Sequence, residues 1–349
     1  MTATGHGLPP ATPPGDAWMG VTRGWEPDLD GYIQETFHRV GGDSLPVHLE
    51  SRYGIRVAST TALDVGVVRI DRRDGPSWVA RVFPAARPVA AAEGDARILQ
   101  GLERQGFPAE RCATADPVSV HEGQAVLVTT LVPGARPEGR GRTFGVLGAL
   151  LGTLHARSRA AGVTLRPGGA WHHLVAEGGP QDEIDAAISL LDAARGRVPA
   201  ADVALHAALR EELQRADGCD GLPQALIHPD FVPVNAVRTP EDSLVMVDWT
   251  GAGRGPRLWS LAFLLWAAGV RDLRLVDVAV SHYRRHIQPE PQELARLAAA
   301  MRTRPLVLDC WAFCVGRRRL EEVAQEVPAA ARLAEEIAAR ARQAFGEAR

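Results

Sequence analysis

The sequence predicts an α+β protein of two lobes: a small N-terminal lobe with an antiparallel sheet and one helix, then a larger, mainly helical C-terminal lobe. Three observations predict it. The chain of 349 residues suits two lobes at the usual ~150 residues each. Between 56 and 83 the residues are β-branched and alternating, with turn signals between the runs. From Thr143 onward leucines recur at helical spacing, and one island of short apolar runs at 225–249 interrupts them.

The elements follow in order. Residues 1–20 read as a flexible tail, MTATGHGLPPATPPGD at its start, without the basic-then-apolar pattern of a signal peptide. Short helices are expected over 26–40 and 45–53. RVASTTAL, GVVRI and SWVARVF then form a meander, broken by Arg73, Asp74, Gly75 and Pro76. Pro88 precedes a helix over 90–104, with Ala96, Leu99 and Leu102 on one side. Strands DPVSVH and AVLVTTLV complete the N-terminal lobe, 21–132, and the break at Pro133-Gly134 opens the C-terminal lobe, 133–349. PGARPEGRGR is a connector. A helix over 143–159 carries Leu147, Leu150, Leu151 and Leu154 on one face, and helices over 181–195 and 202–216 follow. The island supplies ALIH, NAVR and LVMVDW, and helices fill the remainder.

Composition removes several chemistries. All 39 basic residues are arginine. A Walker A loop, a Schiff-base enzyme and a Ser-x-x-Lys acyl enzyme each need a lysine that this chain lacks. Net charge is −3, so no global basicity argues for nucleic acid. The apolar run 258–270 is shorter than the roughly 20 residues of a membrane helix. No membrane partner is expected, and the cytoplasm is the expected location. The four cysteines make no CxxC pair, and Cys310 and Cys314 read as buried thiols.

The informative segment is LIHPDFVPVNAV followed by LVMVDW. Asp230, Asn235 and Asp248 stand at the ends of short β segments, where apolar strands bring them to one cleft. Phosphoryl transfer needs these residue types. One carboxylate orients a hydroxyl and takes its proton, while a carboxylate and an amide hold Mg²⁺ across nucleotide phosphates. Competing readings are a hairpin whose Asp and Asn serve turns, and a metal hydrolase with His228 and Asp230 as ligands.

With its spacing, the segment resembles the aminoglycoside phosphotransferase and choline kinase-like group, the small-molecule relatives of protein kinases. The carrying residues are His228-Pro229-Asp230, Asn235, Val247-Asp248-Trp249, Gly255-Pro256 and Ser260-Leu261-Ala262. The resemblance implies a protein-kinase-like fold, with Asp230 as catalytic base, His228 bracing its loop, and Asn235 and Asp248 on Mg²⁺. Three positions depart from the group. Pro229 replaces a glycine, Ser260 replaces an aspartate that bonds the catalytic loop, and between Thr60 and Arg73 only Gly66 stands where a glycine-rich loop could be.

Strand SWVARVF puts Arg81 between Val79 and Phe83 on one face. Kinases carry there a lysine that holds the α- and β-phosphates and pairs with a helix acid. Arg81 can do that work through its fork. Its expected partner is Asp95, by spacing to Leu99 and Leu102, with Glu93 as the fallback. Backbone groups of Thr130 and Leu131, at the hinge, are expected to face the base of ATP or GTP. His155, His172 and His173 read as structural, His282 and His286 as a solvated helix face, and Trp259, Trp266 and Trp311 as core or cleft wall.

The expected activity is Mg²⁺-dependent transfer of the γ-phosphoryl group of ATP or GTP to a small-molecule hydroxyl. A non-catalytic nucleotide or ligand binder of the same fold is the alternative. Acids of the candidate acceptor region (Asp182, Glu183, Asp185, Asp309) are matched by Arg317, Arg318 and Arg319. That balance favours a neutral or acidic acceptor, such as a sugar or nucleoside-type natural product, over an aminoglycoside. An arginine-only, Ala-, Gly- and Pro-rich composition fits a GC-rich bacterial genome, where antibiotic resistance or self-protection is a common role for such enzymes.

Overall fold

The computed structural model describes residues 29–157, 166–171 and 178–346. His172, His173 and the 1–20 tail lie outside them. The N-terminal lobe runs α1 (Leu29–Phe37), α2 (Ser44–Tyr53), β1 (Val57–Asp64), β2 (Val67–Arg72), β3 (Trp78–Val82), α3 (Val89–Arg104), β4 (Val118–His121) and β5 (Gln124–Thr130). All pairings in its five-stranded sheet are antiparallel, in the order β1-β2-β3-β5-β4. The turn between β1 and β2 depends on Gly66. Its φ is +65°, and a Cβ there would fall 2.5 Å from the Val82 carbonyl oxygen.

Alternation along β3 decides what the sheet presents. Trp78, Ala80 and Val82 pack with Leu45 and Leu49 of α2. Val79 and Arg81 therefore point to the opposite face, where Arg81 sits across from Leu127 of β5. Leu127 joins Leu99 and Leu102 of α3 in the main core.

The C-terminal lobe contains α4 (Gly141–Arg157), α5 (Pro180–Ala194), α6 (Val203–Gln214), β6 (Gln224–Ile227), β7 (Ala236–Arg238), β8 (Leu244–Met246), β9 (Gly253–Pro256), α7 (Arg257–Gly269), α8 (Leu273–Tyr283), α9 (Pro291–Cys314) and α10 (Leu320–Phe345). β6 pairs with β9 and β7 with β8, both antiparallel. The pairing of β9 escapes a sequence reading because its GRGP has no strand periodicity; its register is imposed by β6. The apolar run predicted over 258–270 is α7, a helix buried on nearly every side in the core. Among the described residues no helix is long and apolar enough to cross a membrane.

A second cluster gathers α1, α5, α6 and α9. Tyr32 of α1 is fully buried there, and its hydroxyl accepts from Trp311 Nε1 at 3.2 Å. Just beyond α1, Arg39 Nε donates to the Val82 carbonyl at 3.0 Å, and the Val40 N–H donates to Gln124 Oε1 at 3.0 Å. Burial pulls the Arg39 pKa down to about 9. The segment from α1 to Val40 thus crosses from the C-terminal helices to the N-terminal sheet. The cysteines are unpaired, three of them buried, and burial raises the thiol pKa values of both Cys310 and Cys314.

Candidate active site

Strand β6 ends at Ile227 and delivers His228, Pro229 and Asp230 to the cleft. His228 is fully buried. Its Nδ1 accepts from the Asp230 N–H at 3.0 Å, which places the ring proton on Nε2, and Nε2 donates to the Val247 carbonyl at 3.2 Å. Burial pushes the imidazole pKa down, so the ring stays neutral. Trp249 packs at 4.8 Å between ring centroids and Phe231 at 5.8 Å. His228 therefore ties the loop of Asp230 to the strand end that carries Asp248.

Ser260, fully buried on α7, closes the other side. Its hydroxyl accepts from the His228 N–H at 3.1 Å and donates to the His228 carbonyl at 2.6 Å. The departure from aspartate thus still bonds this loop, at both backbone groups of one residue.

Asn235 closes a short helical turn, and its Nδ2 donates to the Asp230 carbonyl at 3.1 Å. The Asn235 carbonyl accepts from the Val247 N–H at 2.9 Å. Asp230, Asn235 and Asp248 are brought together in this way. The Asp230 and Asp248 side chains keep 21% and 25% of their surface exposed, while the groups that hold them are buried. Asp248 takes a left-handed φ of 63°, uncommon outside glycine though aspartate is among the residues that tolerate it. Its N–H is held by Glu110, whose Oε1 accepts from it at 2.7 Å.

Arg81 reaches the cleft as expected, but neither expected acid is its partner. Its Nη2 lies 3.1 Å from Asp248 Oδ1. Burial lowers its pKa, but the carboxylates of Asp248 and Glu110 outweigh that and hold it up. Asp95 does lie on the buried face of α3, as its spacing indicated, yet two other arginines take it. Arg87 folds back over Phe83, 4.3 Å from the ring centroid, and sets Nη2 at 2.8 Å from Asp95 Oδ2, with both side chains fully buried. Arg166 bonds the other oxygen and also donates to the carbonyls of Ala91 and Ala252. Gly94 leaves room for that approach, since a Cβ there would lie 2.8 Å from Arg166 Nη1. Glu93 faces solvent, with Arg97 at 3.7 Å as its ion-pair partner.

Glu110 is a residue that sequence reasoning missed. It sits in an irregular loop after α3, 7% exposed, and its Oε2 accepts from Thr129 Oγ1 at 3.1 Å. Burial raises its carboxyl pKa against the pull of Arg81 and of its two donors. At the hinge, the Thr130 N–H donates to the Arg111 carbonyl at 2.8 Å and the Leu131 N–H to the Ser77 carbonyl at 2.9 Å. His282 bonds the Val278 carbonyl of its own helix, while His286 meets Thr153 of α4 at 3.3 Å.

Among the described residues no three His, Cys, Asp or Glu side chains cluster as metal ligands. Asp248 with the Asn235 amide is instead a sparse hard-oxygen pair. That donor set fits Mg²⁺, which binds through one or two protein groups and completes its shell with phosphate and water.

Residues 62–299 match the family model of the phosphotransferase enzyme family, APH. The chain belongs to this family. No curated protein sequence matches it. Among solved structures, the amicoumacin kinase hAmiN, in complex with AMP-PNP, Ca²⁺ and Ami, aligns at a TM-score of 0.61 and 14% identity, covering 85% of this chain and 94% of that one. A microcompartment-associated aminopropanol kinase aligns at 0.60 and 18%, covering 87% and 99%. An aminoglycoside phosphotransferase from Alicyclobacillus acidocaldarius aligns at 0.57 and 18%, covering 88% and 97%. The two-lobed kinase-like fold of this APH-family chain matches the expected one, and the family places it among small-molecule phosphotransferases.

Proposed function

We propose that the chain transfers the γ-phosphoryl group of ATP or GTP, as the Mg²⁺ complex, to a hydroxyl of a small molecule in the cytoplasm. The observation that carries this reading is the contrast at the cleft. Asp230, Asn235 and Asp248 stand part-exposed, while His228, Ser260 and Glu110, which hold them, are buried. Asp230 takes the acceptor's hydroxyl proton as the oxygen bonds to the γ-phosphorus. The bond from that phosphorus to the β–γ bridging oxygen breaks, and its electron pair leaves with the nucleoside diphosphate. Asn235 and Asp248 would hold Mg²⁺, which when bound neutralises charge on the phosphates. Arg81 is the cation for the α- and β-phosphates, and on nucleotide binding it exchanges Asp248 for phosphate oxygens. With the N–H groups of Thr130 and Leu131 engaged, their carbonyls are the hinge groups left to meet the base.

The acceptor side favours a neutral or acidic ligand, of the sugar or nucleoside type. Two of its four acids are ion-paired within the fold, and the other two accept from neutral donors. Asp182 accepts from the Gly179 N–H, Asp185 from Gln181, Glu183 from Arg304, and Asp309 from Arg318 at 2.7 Å. Burial pushes Asp309 up to about 6 despite that arginine. The arginines paired with Glu183 and Asp309 reduce the anionic field that a polycation would need. An antibiotic acceptor would make the role resistance or self-protection. The test is a screen with Mg²⁺ and ATP or GTP against hydroxylated antibiotics, sugars, nucleosides and aminoglycosides, read as product mass gained. A phosphorylated product that disappears with Asp230→Ala supports the reading. Nucleotide binding without any transfer would assign the chain to the non-catalytic alternative.

A further inference from the structure

Arg304 is a charged residue on the buried stripe of α9, in line with Leu297, Met301, Val307 and Trp311. It is 2% exposed. Its Nη2 donates to Asp230 Oδ1 at 2.5 Å, and its Nη1 donates to Glu183 of α5. Glu183 is fully buried and also accepts from the Trp171 N–H. The rings of Trp171 and Phe263 lie 5.6 and 5.5 Å from the guanidinium carbon. Pro305 follows directly, removing a helical N–H one residue beyond the arginine.

We propose that Arg304, supported by Glu183, is a positioning residue for the transfer: it grips Asp230 by Oδ1 so that Oδ2 is the oxygen presented to the acceptor hydroxyl. The inference rests on the reading of Asp230 as base. Arg304 is too deeply buried to meet the acceptor and acts through Asp230. A carboxylate on a loop has two equivalent oxygens and a soft terminal torsion. A planar fork held by two nearby rings and a second carboxylate removes that freedom, which a single ammonium group cannot do as well. Glu183 has its own reason to be there. As Asp230 takes a proton it becomes neutral, and the Arg304–Glu183 pair then stays balanced, so no buried charge is left unpaired. The same pair ties the base to α5, an acceptor-side helix.

The test compares Asp230→Ala, Arg304→Lys and the double variant Arg304→Met/Glu183→Gln, which leaves no orphaned buried charge. Turnover is read as phosphate release from Mg·ATP and Mg·GTP with water as acceptor, beside nucleotide affinity and melting temperature. Asp230→Ala abolishes turnover. The double variant folds and keeps nucleotide KM within about twofold, while kcat falls roughly 30- to 100-fold; Arg304→Lys recovers part of that loss. A folded double variant with kcat within about threefold of the parent overturns the proposal. So does a parallel loss of kcat, nucleotide affinity and melting temperature with no recovery by lysine, or failure of every Arg304 variant to fold, because the residue is then a brace for the fold. If Asp230→Ala keeps its turnover, it is the base assignment itself that fails.

Discussion

Ser260 offers a sharp test of how the catalytic loop is held, because one hydroxyl serves both backbone groups of His228. Ser260→Ala removes both bonds, at 3.1 and 2.6 Å, and leaves a buried N–H and a buried carbonyl without partners. Each bond contributes about 1 kcal/mol net, and each orphaned group adds a desolvation cost of about 1 kcal/mol or more. The sum is about 3–4 kcal/mol, since the void left by one hydroxyl oxygen is too small to admit a replacement donor. In a chain of this size that lowers the melting temperature by roughly 4–6 °C. The same loss frees His228, whose Nδ1 orients the Asp230 N–H, so kcat falls about tenfold or more while nucleotide affinity changes little. Thermal and urea unfolding give the first number and steady-state kinetics the second. Ser260→Asp does not restore the site, because a carboxylate accepts the N–H but meets the His228 carbonyl with like partial charge. A Ser260→Ala variant that melts within about 2 °C of the parent and turns over normally would refute this account.

Two further outcomes follow from the same geometry. Arg81→Ala should raise the nucleotide KM roughly 10- to 100-fold, the worth of charge-assisted bonds to phosphate, and Arg81→Lys should recover part of it; Glu110→Gln should weaken nucleotide affinity in the same titration by loosening Asp248. Stability should also fall in acid. His155 is buried, and burial, helped by Arg257, lowers its pKa to about 3 from 6.5. The unfolded chain therefore binds a proton that the native one refuses, so this contribution is full above pH 6.5 and lost as pH falls toward 3, at up to about 1.4 kcal/mol per pH unit. Urea titrations at several pH values should show that slope, shallower in His155→Phe; an unchanged slope would place the effect elsewhere, His228 being the next candidate.

What could be read from the chain alone follows from how local each signal is. His228, Asp230, Asn235 and Asp248 lie within 21 residues on one strand island, so their convergence is set by short-range pairing. The burial of Asp95 was equally legible, since helical spacing fixes the face. Its partners were not, because Arg87 reaches it through a fold-back over Phe83 and Arg166 through a contact 71 residues away. Glu110 sits in a loop without periodicity, and nothing local marks it. Arg304 did leave a trace: it recurs in register with Leu297, Met301, Val307 and Trp311, and a charge on an apolar stripe needs a buried partner. That trace names no partner, and identifying Asp230 and Glu183 required the tertiary structure.

Arg166 touches α3 through Ala91 and Asp95, and the loop beyond Asp248 through Ala252. In a two-lobed catalyst the helix behind the sheet is a natural lever, and swinging it outward is a ready means of silencing the site. Here the lever is bolted to the floor beneath it by a cation whose charge persists at any biological pH. Moving it outward would mean stripping a fully buried carboxylate of Arg166. An outward swing of α3 is therefore opposed by a buried, charge-assisted contact that ties it to the loop beyond Asp248.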